Sequence, residues 1–213
     1  MQLRLVNVFR NLVIVLAIFS SNYAIADSIK GTITFIKKPP MVGIAYVPFA
    51  NSAMSKTEID QLDKRFTAKM AVVKPGDYVT FKNSDNVEHN VFANTPQQSA
   101  KFDVGLMSPG AEKRIKVDWN ENSIIRVGCK IHPKMRTYLA SIDSPYHKII
   151  EFNKSIKKYT FTINNIPEDA KHFIFNIPKY DAVTIDLTTG ILWTVDVSKK
   201  GKVRGQITIN KSR

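Results

Sequence analysis

Residues 128–136 read Gly-Cys-Lys-Ile-His-Pro-Lys-Met-Arg and hold the densest group of metal-binding side chains in the sequence. A thiol, an imidazole and a thioether follow one another at intervals of three residues, as Cys129, His132 and Met135. A second imidazole, His89, stands 40 residues before the cysteine, at the start of a predicted strand. A loop between two strands can bring three of these side chains to one point, and a neighbouring strand can supply the fourth.

These four residue types match the needs of a type 1 copper site. Such a site has one thiolate and two imidazoles in a trigonal plane, with a weak and long axial thioether. Zinc also accepts a thiolate and two imidazoles, but a structural zinc site usually takes its fourth ligand from Cys, His or a carboxylate. Met135 therefore favours copper. The alternative, in which Cys129 and Met135 are core residues without a metal, stays open at this point.

The N-terminus predicts export. Arg4 and Arg10 precede an apolar run at residues 11–19. Ala24-Ile-Ala26, which follows that run, is typical of a signal-peptide cleavage site. The run is too short to span a bilayer, so residues 1–26 are predicted to be a cleaved signal peptide of a periplasmic protein without a transmembrane segment. A retained membrane anchor is the alternative.

The compartment makes Cys129 unusual, because it is the only cysteine of the chain. In an oxidising compartment a lone thiol has no partner for an internal disulfide. It must therefore be buried, paired with another chain or bound to a ligand. The neighbouring histidine and methionine favour the last of these.

Around the motif, short runs of β-branched and aromatic residues alternate with turns. This spacing favours an antiparallel sandwich over alternating strands and helices. Residues 51–66 are polar, and Ser55-Lys-Thr-Glu58 matches a capping box, which predicts a short helix or an ordered loop there. Ser144-Pro145 predicts a hinge before a second set of strands. The strands predicted around the metal motif are Lys69–Val73, Tyr78–Lys82, His89–Phe92, Glu112–Val117, Ser123–Gly128 and Tyr138–Ile142.

The order of the motifs resembles a cupredoxin of the plastocyanin and amicyanin group. The resemblance covers about residues 68–143 and rests on Lys74–Asn83, His89-Asn-Val91 and Cys129-x-x-His132-x-x-Met135. The two-residue gap between His132 and Met135 is most similar to amicyanin. More weakly, the flanking segments Gly31-Thr-Ile-Thr34 and Ser144-Pro-Tyr146 are similar to bacterial plastocyanin-like proteins labelled methylamine-utilisation proteins, although residues 145–213 diverge from them. Those proteins carry a trailing β-sandwich like a carboxypeptidase regulatory domain.

This resemblance implies an all-β chain with two units. Residues 27–143 would form a Greek-key cupredoxin sandwich with an N-terminal strand extension, and residues 144–213 a smaller β-sandwich. It also implies one type 1 copper held by His89, Cys129, His132 and Met135. Asn90 would join the two ligand loops by hydrogen bonds, and the edge of His132 would be the electron port. One departure is Gly128, because many relatives place an aromatic residue nearer the cysteine.

The implied function is one-electron transfer between redox partners. Copper storage, delivery or sensing with the same ligands is the alternative, and a metal-free adaptor is a third possibility. Met107 is a second candidate for the axial position, but Met135 is favoured because it lies in the ligand loop. His147 and His172 are too few for the additional copper of a multicopper oxidase or a copper nitrite reductase. No hydrolase triad or phosphate loop is visible, so no enzyme activity is expected.

The charge indicates the kind of partner. The formal net charge is +13 and the pI is about 9.8. Export argues against nucleic acid, so an acidic protein or an anionic membrane surface fits better. Lys130, Lys134 and Arg136 flank the metal ligands in sequence. They are therefore predicted to steer a redox partner that is acidic at its docking face.

Overall fold

The structure, a computed structural model, describes residues 27–50 and 56–212. The predicted signal peptide, with Arg4, Arg10 and the cleavage site, lies outside these ranges. Regular structure in the described ranges is almost entirely β, with one short 3-10 helix at Pro96–Gln98. These ranges contain no helix that is long and apolar enough to cross a bilayer. The expected all-β fold class is confirmed.

The described strands are numbered in chain order. They are β1 (Asp27–Phe35), β2 (Val42–Tyr46), β3 (Thr57–Ile59), β4 (Gln61–Leu62), β5 (Arg65–Phe66), β6 (Ala71–Val73), β7 (Tyr78–Lys82), β8 (His89–Thr95), β9 (Ala100–Met107), β10 (Glu112–Lys116), β11 (Ser123–Gly128), β12 (Arg136–Ser141), β13 (His147–Glu151), β14 (Lys158–Ile166), β15 (His172–Asn176), β16 (Val183–Asp186), β17 (Leu192–Lys199) and β18 (Lys202–Ser212).

The larger sheets are built from these strands in four layers. Sheet I has the strand order β14-β1-β18-β17 and sheet II the order β13-β2-β15-β16. Sheet III has the order β6-β12-β11-β8-β9, and sheet IV the order β10-β7-β3. Pairing is mostly antiparallel, but β3 with β7 and β6 with β12 are parallel pairs. A small hairpin of β4 and β5 stands beside them.

Three apolar cores separate the four sheets. The first lies between sheets I and II and includes Ile33, Phe161 and Phe173. The second lies between sheets III and IV and includes Phe81, Leu139 and Cys129. The third joins sheets II and III. Strand β2 is buried along its whole length because successive side chains of a strand point to opposite faces, and both faces of β2 are covered.

From the sequence, the N-terminal strands are expected to extend the sandwich that carries the candidate ligands, within residues 27–143. The structure places them in other sheets. Strand β1 pairs with β14 and β18, and β2 pairs with β13 and β15, so both strands complete the sheets of residues 144–212. The apolar alternation of β1 buries Ile29, Ile33 and Phe35 in the first core, between sheets I and II. The sandwich between sheets III and IV is formed by strands from Thr57 to Ser141.

The expected short helix or loop at residues 51–66 also needs correction. Residues 51–55 lie outside the described part of the chain, and the rest forms strands β3, β4 and β5. Strand β3 pairs in parallel with β7, which buries Ile59, and Thr57 donates a hydrogen bond to the Val72 carbonyl. Pairing with an existing sheet overrides the local capping-box pattern. Strand β9 lies in a segment that the sequence analysis left without structure.

Gly205 of β18 permits the close approach of β1. A Cβ atom there would lie far inside van der Waals contact with the Thr34 carbonyl oxygen and 3.1 Å from the Phe35 Cα. Since backbone atoms of a paired strand cannot move aside cheaply, Gly205→Ala is expected to lower the free energy of unfolding by about 1–3 kcal/mol, measured by urea denaturation. Gly190→Ala is the matched control, because its Cβ would meet only ordinary contacts at 3.9 Å. Equal stability of the two variants would contradict the prediction.

Candidate metal centre

Strand ends of sheet III place the four candidate ligands. His89 is the first residue of β8, Cys129 follows the last residue of β11, and Met135 precedes the first residue of β12. Strands β11 and β12 form a hairpin, and β8 pairs with β11 on its other side. Residues 129–135 are therefore the loop of that hairpin, beside the start of β8.

Three ligand atoms converge at this loop. The ligand atoms of His89, Cys129 and His132 all lie within 4.8 Å of one another. The two Nδ1 atoms of His89 and His132 are 3.1 Å apart, and the Cys129 Sγ is 3.8 Å from the His132 Nδ1. His89 and Cys129 are buried, whereas His132 is partly exposed. Among the described residues this is the one group of three or more His, Cys, Asp or Glu side chains close enough to hold a metal ion.

The two methionines differ in their surroundings. Met135 is buried in the same core as Cys129, and its backbone N–H donates to the His132 carbonyl at 2.8 Å. Met107 is also buried and pairs with His89 across β8 and β9. Its sulfur accepts a hydrogen bond of 3.7 Å from the Gln61 side-chain amide. Met107 thus has a polar partner of its own within the core, whereas Met135 lies in the ligand loop.

Asp85 orients the His89 ring. The His89 Nε2 lies 3.0 Å from the Asp85 Oδ2. A carboxylate only accepts hydrogen bonds, so Nε2 carries the proton and Nδ1 turns its lone pair towards His132 and Cys129. The backbone N–H groups of Lys64 and Asn86 also donate to this carboxylate. The hydrogen bond from the Lys64 backbone N–H and, next, the hydrogen bond with His89 hold the pKa of Asp85 down at about 2, so the carboxyl group is charged at neutral pH.

Asn90 links the strand pair β8–β9 to the ligand loop. Its backbone N–H donates to the Cys129 Sγ at 3.3 Å, and its side-chain carbonyl accepts from the Lys130 N–H at 3.3 Å. Its side-chain amide donates to Asp103 and to the Gly105 carbonyl at 2.7 and 2.9 Å. These are the contacts expected of a residue that joins the two ligand segments.

Lys130 forms an ion pair with Asp103. The Lys130 contact, followed by the Asn90 amide, lowers the pKa of Asp103 to about 2. The charge of Lys130 is therefore largely offset beside the site. Lys134 and Arg136, the other two predicted steering residues, are exposed and take part in no ion pair found among the described residues. Desolvation lowers the pKa of His132, and the nearby His89 lowers it further.

His147 and His172 lie away from the cluster. The His147 Nδ1 is 2.9 Å from the Ser144 carbonyl, at the crossing from sheet III to sheet II. His172 pairs with Asp186 at the end of the β15–β16 ladder. Neither was expected to bind the metal, and the structure places neither with the candidate ligands.

The sequence analysis did not identify Asp85 and Asp103. A signal for Asp85 was available, because it lies in a turn four residues before His89, close enough to reach the ring. Asp103 gave no such signal. It reaches Asn90 only through the pairing of β8 with β9, a strand that the sequence analysis missed.

No protein-family model matches the sequence. The search of curated proteins finds no match either. The chain does resemble solved structures over part of its length.

One such structure is the purple cupredoxin from Nitrosopumilus maritimus, with 16% identity and a TM-score of 0.35 over 40% of this chain and 99% of that one. Another is a reduced Cu(I) form of an amicyanin mutant, with 24% identity and a TM-score of 0.36 over 46% of this chain and 97% of the other. A copper-containing nitrite reductase from Thermus scotoductus matches with 19% identity and a TM-score of 0.38 over 46% of this chain, but only 25% of the reductase. All three structures are less than 25% identical to this chain.

Proposed function

We propose that the chain is an exported cupredoxin that carries one electron at a time on a single type 1 copper ion. His89, Cys129, His132 and Met135 would hold this ion. The observation that carries the proposal is the convergence of two imidazole nitrogens and one thiol sulfur in a mostly buried site. Met135 lies in the ligand loop and in the same core as the cysteine, and is the proposed weak fourth ligand; Met107 shares that core, but its sulfur accepts a hydrogen bond from Gln61.

The donor set fits the ion in chemistry and in spacing. Metal–nitrogen and metal–thiolate bonds in proteins are about 2.0–2.3 Å long, so donors that share one ion lie about 3–4 Å apart. The separations of the His132 Nδ1 from the His89 Nδ1 and from the Cys129 Sγ, 3.1 Å and 3.8 Å, fall in that range, and all three atoms lie within 4.8 Å of one another. Imidazole and soft sulfur ligands together accommodate both Cu(II) and Cu(I).

The protein residues keep the ligands in place. Copper would supply the one-electron redox change, and the chain would keep the same ligands in both oxidation states. Asp85 fixes the His89 ring, and Asn90 fixes Cys129 through its backbone N–H. Three of the proposed ligands, His89, Cys129 and Met135, lie at or next to strand ends, so little rearrangement is expected on electron transfer. The proposed ligand set leaves no position for a substrate, which supports a carrier rather than an enzyme.

His132 is the proposed route for the electron. It is partly exposed, while His89, Cys129 and Met135 are buried. Ile131, 47% exposed, precedes His132 in the ligand loop, and Leu106, 59% exposed, pairs with Asn90, whose side chain accepts the Lys130 N–H of that loop. A partner docking on this small apolar surface would come close to the imidazole edge, and the exposed cations Lys134 and Arg136 would attract an acidic partner.

The test is a titration of the purified protein with Cu(II), followed by visible absorption. We expect an intense thiolate-to-copper band that saturates at one copper per chain. The copper protein should then be reduced and reoxidised reversibly. A colourless protein would overturn the type 1 assignment. Copper that binds with the expected band but transfers readily to an acceptor protein, without a reversible couple, would instead support copper handling.

Electrostatic steering can be tested before a partner is known. In the copper-loaded protein, Lys134→Glu with Arg136→Glu is expected to slow oxidation by anionic ferricyanide about tenfold at low salt and to flatten its salt dependence. Oxidation by a cationic cobalt complex should become faster. Lys148→Glu with Lys171→Glu makes the same change of net charge on exposed residues of the other sandwich. An equal effect of both pairs would show that only net charge matters.

A further inference from the structure

Three exposed aliphatic side chains lie near one end of sheet I, which sheet II separates from sheet III and its candidate ligands. Ile36, Ile156 and Val203 have exposed fractions of 59%, 49% and 44%. The Phe35 N–H donates to the Lys157 carbonyl at 2.8 Å, and the Ile36 N–H donates to the Arg204 carbonyl at 2.9 Å. These hydrogen bonds bring together the three segments that carry the aliphatic residues.

The same segments are strongly basic. They read Ile36-Lys-Lys38, Asn153-Lys-Ser-Ile-Lys-Lys158 and Lys199-Lys-Gly-Lys-Val-Arg204, and none of them contains an acidic residue. We refer to these three segments as the cationic end. No ion pair involving them is found among the described residues. Most of their lysines are exposed, and the charge is therefore available to a partner.

Besides Glu151, which forms an ion pair with Lys69, two acidic side chains adjoin the cationic end, and both are engaged. The Asp181 carboxylate accepts the backbone N–H groups of Lys200 and Gly201 at 3.1 and 2.9 Å. The Asp196 carboxylate accepts from the Gln206 side-chain amide at 3.1 Å. Asp181 thereby shapes the β17–β18 turn that presents Lys200 and Lys202. The two carboxylates are far outnumbered by the cations around them.

We propose that the cationic end binds an anionic lipid surface. Lysines near such a surface are attracted by its negative potential, and aliphatic side chains on loops can enter the interfacial region. The cationic end offers both features on the same three segments. The combination is that of a peripheral membrane protein, in which charge brings the molecule to the bilayer and shallow insertion retains it.

The composition of the cationic end favours lipid over an acidic protein. Its basic residues are all lysines except Arg204, and it contains no aromatic residue. Protein interfaces are enriched in arginine and aromatic side chains and depleted in lysine. Lysine is a compact, flexible point charge, which suits a diffuse layer of headgroups better than a structured set of carboxylates.

The cationic end lies at the same end of the strands as the ligand loop. In sheet III, the loop 129–135 is at the end of β11 opposite Asn122. At one end of the β2–β13 pair of sheet II, the Tyr46 hydroxyl donates to the Asn122 side chain at 3.1 Å. At the other end, Glu151 forms an ion pair of 2.7 Å with Lys69, which precedes β6 of sheet III. The segments 36–38 and 153–158 adjoin the Val42 and Glu151 ends of β2 and β13. If the proposed function holds, membrane binding would hold the copper end towards the bilayer, within reach of a membrane-bound redox partner.

The first experiment measures binding of the protein, in the form that accumulates in cells, to lipid vesicles by flotation. Vesicles of phosphatidylcholine with about 30% phosphatidylglycerol are expected to bind the protein at low salt and to release it at high salt. Pure phosphatidylcholine vesicles should not bind it. Replacing four lysines of the cationic end (Lys37→Gln, Lys157→Gln, Lys200→Gln and Lys202→Gln) should weaken binding at least tenfold.

The matched control carries the same number of substitutions elsewhere: Lys113→Gln, Lys116→Gln, Lys148→Gln and Lys171→Gln. All four are exposed and lie outside the cationic end. We expect this variant to bind nearly as the unaltered protein does. An equal loss in both variants would overturn the proposal, because it would show that net charge alone is responsible.

Insertion is tested with Ile36→Ser and Ile156→Ser. Together they should weaken binding to the anionic vesicles several-fold while leaving binding to soluble polyglutamate unchanged. If polyglutamate binds as tightly as the vesicles, or if the isoleucines make no difference on vesicles, the lipid proposal fails. The variant Cys129→Ser should bind vesicles as the unaltered protein does, which separates this proposal from the copper assignment.

Discussion

Replacing Cys129 with Ser is expected to abolish the visible copper band and to weaken copper binding by at least a hundredfold. A serine hydroxyl does not ionise near neutral pH, so it supplies neither the charge-transfer band of a thiolate nor the strong bond to copper. The fold should survive, because serine is close in size to cysteine and its oxygen can accept the Asn90 N–H that now donates to the sulfur. The measurement is an absorption titration with Cu(II), with urea denaturation as the check on folding.

A matched pair of methionine variants completes this test. Met135→Leu is expected to keep the band but raise the reduction potential, since it removes the weak axial donor. Met107→Leu removes a buried methionine whose sulfur contacts Gln61 and should leave band and potential nearly unchanged. If Cys129→Ser bound copper as tightly as the unaltered protein, the ion would have to sit elsewhere. If Met107→Leu changed the potential and Met135→Leu did not, the axial ligand would be reassigned.

The sequence allowed the candidate site to be predicted because its information is local. Cys129, His132 and Met135 lie within seven residues, and the strands that flank them have a clear apolar alternation. His89 could be added because it stands at the start of a strand. These features depend on neighbouring residues only, so pattern analysis finds them without knowledge of the fold.

Features that depend on long-range pairing were not predictable in the same way. The strand character of Asp27–Phe35 is visible in its alternation, but nothing in that segment indicates that its partners are β14 and β18. Its assignment to the wrong sandwich follows from this. The same limit hid Asp103, which meets Asn90 only when β9 pairs with β8.

Asp85→Asn is expected to weaken Cu(II) binding by about ten- to a hundredfold, the usual effect of losing a partner that orients a metal-binding histidine. The asparagine carbonyl can still accept the His89 Nε2–H, so the variant removes the negative charge behind the ring and, on the other carboxylate oxygen, the acceptor of the Asn86 N–H. The negative charge of Asp85 makes the His89 imidazole a stronger electron-pair donor to the metal, and it favours Cu(II) over Cu(I). With Cu(I) binding unchanged, the reduction potential should rise by about 60 mV for each tenfold loss of Cu(II) affinity.

Asp60→Asn is the matched control for this prediction. Asp60 accepts the backbone N–H of Ser84, next to Asp85, but contacts no candidate ligand. Competition titration with a Cu(II) chelator and cyclic voltammetry of both variants measure the two effects. We expect Asp60→Asn to retain the affinity and potential of the unaltered protein. A rise in potential in both variants would mean that the turn at residues 83–86 acts through its conformation, and an unchanged potential in Asp85→Asn would show that the carboxylate does not tune the copper.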